Sequence, residues 1–343
     1  MGRSLLYNVS KYGLKQDADG CRWKGNTMRY LNGCTFGFMS RRGFTQRDEW
    51  KTSLRLMKEE TGCDVVILPV AALQDHAYST QVDYTTPDVM SMDDVRAVAR
   101  EARSLGMQVV IKAMVNCRDG YWRAYIRFFD SCVPTEPTWD QWFGSYGEFV
   151  VTLARTAQEI QAEMFCVGCE MVGTDHRAEE WRALIADVRQ VYTGPVTYNC
   201  DKFQENNITW WDAVDAISSS GYYPIDQLEE HFTRIEQVAE TFDRPFFFME
   251  SGCPSRRGSE YVPNNWAFGG EQCLDSQTQW YRAYVDALLR HPKIRGCVWW
   301  DWSAMHLYPI EKAASDAGYA LYGKPAARVL REYSLAVAKR EKG

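Results

Sequence analysis

The chain reads as an α/β protein of the (β/α)8 TIM-barrel type, one catalytic-size domain over 1–343 with 1–30 as an extension ahead of the first strand. Three observations predict this. Eight short apolar runs are rich in β-branched and aromatic residues, amphipathic segments of helix length lie between them, and no Pro-, Gly- or Ser-rich linker divides the sequence. A single barrel accommodates 343 residues without a second domain.

In chain order the predicted strands cover 33–38, 64–69, 108–114, 164–168, 195–198, 213–218, 245–249 and 296–300. Seven helices are expected between them. One spans 92–105, opened by Ser91 with Asp93 and Asp94 in its first turn, and another spans 145–160. A closing helix over 325–339 completes the count. An open doubly wound sheet competes with the barrel, but it ordinarily carries a Gly-rich phosphate turn after its first strand. The segment Phe38-Met-Ser-Arg-Arg-Gly43 has neither dinucleotide nor P-loop spacing.

Composition narrows the function. Hydrophobic residues make up 45% and charged residues 24%, a globular balance, and the net charge of −6 offers no basic face for nucleic acid. No apolar stretch approaches the roughly 18 residues of a membrane span, and the first residues show no secretory leader, so no membrane partner is expected. Eleven cysteines are scattered singly through apolar runs, which suits reduced thiols in a cytoplasmic protein. Thirteen Trp and nineteen Tyr exceed the ordinary need of a core, and amphipathic rings in surplus suit a sugar-binding surface or aromatic-rich packing.

Two segments end an apolar run with a glutamate: Met164-Phe-Cys-Val-Gly-Cys-Glu170 and Pro245-Phe-Phe-Phe-Met-Glu250. In a barrel all strands deliver their carboxyl ends to one face, so Glu170 after the fourth strand and Glu250 after the seventh are expected to meet across a cleft. Two carboxylates about 5 to 5.5 Å apart serve retaining glycoside hydrolysis, one as nucleophile and the other as acid and then base, and wider spacing serves inversion. Other chemistries lack support. Cys166-Val-Gly-Cys169 has no second cysteine pair, the histidines His76, His176 and His306 form no H-x-x-x-H cluster, and Met249-Glu250-Ser251-Gly252 is not a serine-nucleophile elbow. Neither a metal nor an organic cofactor is expected.

The chain resembles clan A glycoside hydrolases and is most similar to glycoside hydrolase family 113, the β-mannanases and β-mannosidases. The resemblance rests on a series in order: Trp142-Phe-Gly-Ser-Tyr-Gly-Glu-Phe149, Phe165-Cys-Val-Gly-Cys-Glu170-Met171, Thr197-Tyr198 and Trp211-Asp-Ala-Val-Asp215. It continues through Gly221-Tyr-Tyr-Pro224, Met249-Glu250-Ser-Gly252, Asp275-Ser-Gln277, Trp299-Trp-Asp-Trp302 and Gly323-Lys-Pro-Ala326. It implies Glu170 as acid/base and Glu250 as nucleophile in a retaining enzyme acting on β-linked manno-oligosaccharides. One departure stands out: the clan's usual Asn before the acid/base is Cys169, a poorer partner for the sugar 2-hydroxyl.

The resemblance also implies a phenol against the nucleophile, Tyr223 by position with Tyr222 as the alternative. It further implies a tryptophan under the sugar at the cleavage point, where alternation favours Trp300 over Trp299. Tyr198, Trp122, Tyr121 and Trp266 complete the candidate sugar contacts; for the last three, ordinary packing is at least as good a reading. Because Cys169 loosens the sugar assignment, a β-glucosidase, β-galactanase or transglycosidase on the same barrel remains an alternative, as does a carbohydrate-binding protein without activity. A cytoplasmic location favours short imported oligosaccharides, trimmed from an end.

Overall fold

The computed structural model describes residues 23–24, 27–266, 269–305 and 309–340. Within the expected extension, residues 1–22, 25 and 26 lie outside these. Its described part forms a two-residue antiparallel pair, β1 (Trp23–Lys24) and β2 (Thr27–Met28).

Eight parallel strands then close into a barrel: β3 (Leu31–Phe36), β4 (Val65–Gln74), β5 (Gln108–Cys117), β6 (Met164–Cys169), β7 (Val196–Cys200), β8 (Ala216–Ser220), β9 (Phe246–Ser251) and β10 (Ile294–Trp302). All eight predicted strands exist, with shifted ends. β4 and β5 run past their predicted ends because they pair residue for residue from Val65 with Gln108 up to Gln74 with Cys117.

The helices are α1 (Glu49–Thr61), α2 (Met92–Ser104), α3 (Trp139–Glu159), α4 (Ala178–Val191), α5 (Leu228–Phe242), α6 (Leu274–Arg290) and α7 (Pro325–Arg340). α2 starts where expected, on a capping box between Ser91 and Asp94. α3 starts six residues earlier than the expected 145, because Thr138 and Gln141 form a second capping box. The expected helix between the fifth and sixth barrel strands is not formed. Only a short 3₁₀ turn, Trp211–Ala213, lies there, and the predicted start of that sixth strand at 213 falls within it. Trp210 and Trp211 fill the place of a helix, fully buried against Trp181 and Tyr198.

Strand alternation divides the core into two layers. Inside the barrel, Leu31, Val65, Ile67, Val110, Met164, Cys166, Ala216, Phe247, Met249 and Val298 pack together over Met28. The larger layer lies between strands and helices.

Closure depends on β10 meeting β3. Gly296 pairs with Leu31 at φ 140°, and a Cβ there would stand 2.1 Å from the Leu31 carbonyl oxygen. Only glycine allows that approach. Gly296→Ala is therefore expected to lower unfolding free energy by about 3 kcal/mol or more, read from urea denaturation. A variant as stable as the parent overturns this account of closure.

Candidate active site

Both glutamates follow a β-bulge. Along β6 and β7 the pairing passes from Cys166–Thr197 to Cys169–Asn199, three steps on one strand against two on the other. Along β9 and β8 it passes from Phe248–Ser219 to Glu250–Ser220, two steps against one. The extra residue breaks strict alternation and re-aims the side chains beyond it. Gly168 therefore backs onto Trp181 and Tyr198 in the outer layer, while Cys169 joins Ala71 and Met114 inside the barrel. Met249 and Glu250 likewise both serve the interior, and Ser251 turns outward to the Tyr284 hydroxyl. Glu170 itself sits at φ 52°, a left-handed conformation that a glutamate adopts only where its surroundings enforce it.

The result is a convergence. A thiol sulfur of Cys169 and a carboxylate oxygen from each of Glu170 and Glu250 all lie within 4.8 Å of one another, and all three residues are buried. Each carboxylate has its own cation. Lys112 of β5 forms an ion pair with Oε1 of Glu250 and donates to Oδ1 of Asn199 at 2.8 Å. Arg123, in the loop after β5, donates to Oε2 of Glu170 at 2.9 Å, to the Cys169 carbonyl at 2.9 Å and to Oδ1 of Asn116 at 3.0 Å. The donor set would suit a metal ion by count, but here two cationic side chains already neutralise it.

The remaining bonds separate the two carboxyls further. Oε1 of Glu170 accepts from Ser220 Oγ at 2.6 Å, and Oε2 also accepts from the Trp122 indole at 3.4 Å. For Glu250, the Cys169 thiol donates to Oε1 at 3.4 Å and the Tyr222 hydroxyl to Oε2 at 3.1 Å. Burial pushes the Glu250 carboxyl up, yet Lys112 and Arg123 more than offset this and hold it below its ordinary value. Burial also raises Asp301, with the Glu250 charge adding to it, to about 7. Both the Cys169 thiol and the Tyr222 phenol are raised, chiefly by burial, which keeps them protonated donors.

Aromatic rings form the cleft wall beside Glu250. Trp300 packs with Tyr222, Tyr319 and Phe38, and Trp266 stacks on Tyr319 with ring centroids 4.3 Å apart. Trp122, on the Glu170 side, and Trp266 are both exposed. Tyr121 is exposed too, edge-on to Tyr125 rather than to either carboxyl.

Three expected contacts are corrected. Tyr223 does not reach Glu250: its hydroxyl donates to Glu205 at 3.0 Å and its ring stacks on His231 behind the barrel wall. Past the end of β8 the chain turns at Gly221, where a Cβ would collide with Tyr284, and Tyr222 is the residue aimed inward. Trp299 faces the helix layer against Tyr281 and Tyr284, with its indole on Asn32. Tyr198 also points outward, bonded to Asp175 at 2.5 Å; the inward residue of β7 is Asn199. His306 lies outside the described residues.

Sequence reasoning misses Lys112, Arg123, Asn199 and Ser220. Lys112 carried a signal, a lone charge inside the otherwise apolar Val109-Val-Ile-Lys112-Ala-Met114. Arg123 carried none, since it opens a single 3₁₀ turn, Arg123–Tyr125, too short to show a period.

The family model described as Glycoside Hydrolase Family 113 matches residues 34–324. Two solved structures, each described as a β-1,4-mannanase of that family, align with TM-scores of 0.88 and 0.89 at 44% and 45% identity; in both, the alignment covers 90% of this chain and 100% of theirs. The β-mannanase from Alicyclobacillus acidocaldarius aligns with a TM-score of 0.87 at 40% identity, covering 92% of this chain and 100% of that one. No curated protein sequence matches.

The two adjacent tyrosines give a direct test of the assignment. Tyr222→Phe is expected to lower turnover about tenfold or more with little loss of stability, because it removes a donor from a buried carboxylate. Tyr223→Phe is expected to cost about 1 to 2 kcal/mol of stability, measured by denaturation, with turnover nearly unchanged. The reverse pattern overturns the assignment.

Proposed function

The chain belongs to glycoside hydrolase family 113, and from that membership we propose that it cleaves β-1,4-linked manno-oligosaccharides with retention, Glu250 attacking and Glu170 passing the proton. The observation that carries this reading is that an oxygen of Glu170 and an oxygen of Glu250 lie within 4.8 Å of each other, in keeping with the close spacing of a retaining pair rather than the wide spacing of an inverting one. No cofactor is required. Glu250, held ionised by Lys112, is suited to attack the anomeric carbon, while Ser220, Trp122 and Arg123 orient Glu170 toward the leaving oxygen.

Trp300 beside Glu250 supplies a face for the sugar undergoing cleavage. The ten described cysteines are free thiols, eight of them buried, which supports a cytoplasmic enzyme acting on short chains. No described helix is long and apolar enough to cross a membrane.

Glu250→Ala is expected to reduce turnover on an aryl β-mannoside by roughly 10⁴-fold or more. Glu170→Ala is expected to slow deglycosylation and to be rescued by azide, giving a β-mannosyl azide by retention. Full turnover in Glu250→Ala, or an α-configured first product by proton NMR in the parent enzyme, sinks the proposed mechanism.

Exposed rings flank the pair on both sides, Trp122 by Glu170 and Trp266 by Trp300, and this favours internal cleavage over trimming from an end. Reduced mannotetraose is expected to give mannobiose and reduced mannobiose as early products. Mannose as the sole early sugar released overturns internal cleavage.

A further inference from the structure

The two oxygens of Glu250 are not equivalent. Oε1 lies inward, held by the Lys112 ammonium and the Cys169 thiol, whereas Oε2 takes a single neutral bond from Tyr222, which packs with Trp300 and Tyr319. Lys112 has no exposed side-chain surface. It projects from the centre of β5, where it pairs with Pro69 of β4 and Cys166 of β6, and Asn199 of β7 fixes its second hydrogen bond. A lysine is costly in a barrel interior unless it is paired, and here it is paired to one atom of one carboxylate.

Resting on the reading of Glu250 as nucleophile, we infer that Lys112 is a positioning residue that reserves Oε2 for attack and makes Glu250 a good leaving group in the second half of the reaction. In the first step Oε2 bonds to the anomeric carbon, the bond to the aglycone oxygen breaks with its electron pair, and Glu170 supplies that oxygen with a proton. Glu250 is then a neutral ester whose carbonyl oxygen is Oε1, still facing the Lys112 ammonium. In the second step a water oxygen bonds to the anomeric carbon, Glu170 takes its proton, and the bond to Oε2 breaks. The electron pair returns to the carboxylate, where negative charge redevelops beside a cation already in place. A preorganised charge of this kind stabilises the transition state without reorganisation. The half-reaction that depends most on Lys112 is therefore deglycosylation.

The same cation governs when Glu250 ionises. The titratable and charged groups around Glu250 are Lys112 from β5, Arg123 from the following loop, Cys166 and Cys169 from β6 and Glu170 just beyond it. Tyr222 after β8 and Asp301 of β10 complete the set. Two of these are cations, and Lys112 is the one bonded to Glu250. Removing it leaves a buried carboxylate with a thiol and a phenol as donors, so protonation sets in at higher pH. The sign is fixed: a carboxyl held low by a cation moves up when the cation goes, and activity is lost earlier on acidification.

The test compares Lys112→Met and Lys112→Arg with the parent on 2,4-dinitrophenyl β-mannoside. In Lys112→Met the acidic limb of kcat/KM is expected to rise by about one pH unit or more, a tenfold change in proton affinity. A pre-steady-state burst of dinitrophenolate is expected, then steady turnover about tenfold or more slower, as the mannosyl-enzyme accumulates. Lys112→Arg, which keeps the cation, is expected to restore the acidic limb. An unchanged limb and no burst in a folded Lys112→Met overturns the inference; if that variant does not fold, Lys112→Gln takes its place under the same criteria. Trapping the parent with 2-deoxy-2-fluoro-β-mannosyl fluoride and mapping the labelled peptide separates the two levels. Label on a residue other than Glu250 removes the underlying mechanism, whereas label on Glu250 with an unchanged limb removes only the role of Lys112.

Discussion

Two carboxyl groups with oxygens within 4.8 Å of each other in a mostly buried cleft would, if both ionised, repel by about 3 kcal/mol at the effective dielectric of a protein, before the cost of burying either is counted. The barrel tolerates this because it places a separate cation behind each. Lys112 stands inside the barrel under Glu250, and Arg123 stands at the rim under Glu170. Those two ion pairs explain much of the surrounding polar structure. Asn199 holds the lysine, Asn116 and the Cys169 carbonyl hold the arginine, and Ser220 occupies the remaining oxygen of Glu170. Lys112 of β5, Asn199 of β7 and Ser220 of β8 are buried polar residues for that reason, although the lower barrel is filled with apolar side chains.

Backbone geometry brings the pair together in the first place. Regular alternation along β6 would have carried Gly168 inward, and along β9 it would have turned Glu250 out after Met249. One extra residue in each strand corrects the phase. The left-handed backbone of Glu170 is the continuation of the same irregularity. Cys169 becomes intelligible in this setting: its sulfur lies between Arg123 and Glu250, accepting from the guanidinium and donating weakly to the carboxylate.

Much of this was legible from the sequence, and the limits come from the same physics. The eight strands could be read because each is a short apolar run, and Glu170 and Glu250 could be read because each ends such a run. Which of two adjacent aromatics faces the cleft could not be read in general. Alternation favoured Trp300, whose ring lies with Tyr222 on the Glu250 side, but it offers no choice between Tyr222 and Tyr223, where the chain has already left β8 and turned at Gly221. The missing helix before β8 went unseen for a different reason, since paired tryptophans do its packing with no helical repeat. Arg123 was invisible because a single 3₁₀ turn carries no period from which a direction can be inferred.

The two cations differ in where the chain supplies them. Lys112 is threaded through the middle of a strand paired on both sides, so altering its neighbours disturbs the barrel wall itself. Arg123 and Trp122 belong to the connection after β5, outside the strand ladder, where Trp122 is exposed and Arg123 is buried against the end of β6. The surroundings of Glu170 can therefore be rebuilt by changing one connection, while Glu250 and its cation are bound to the barrel wall. Divergence among barrels of this design is channelled accordingly: the contacts around Glu170 can drift, and the ion pair beneath Glu250 stays fixed.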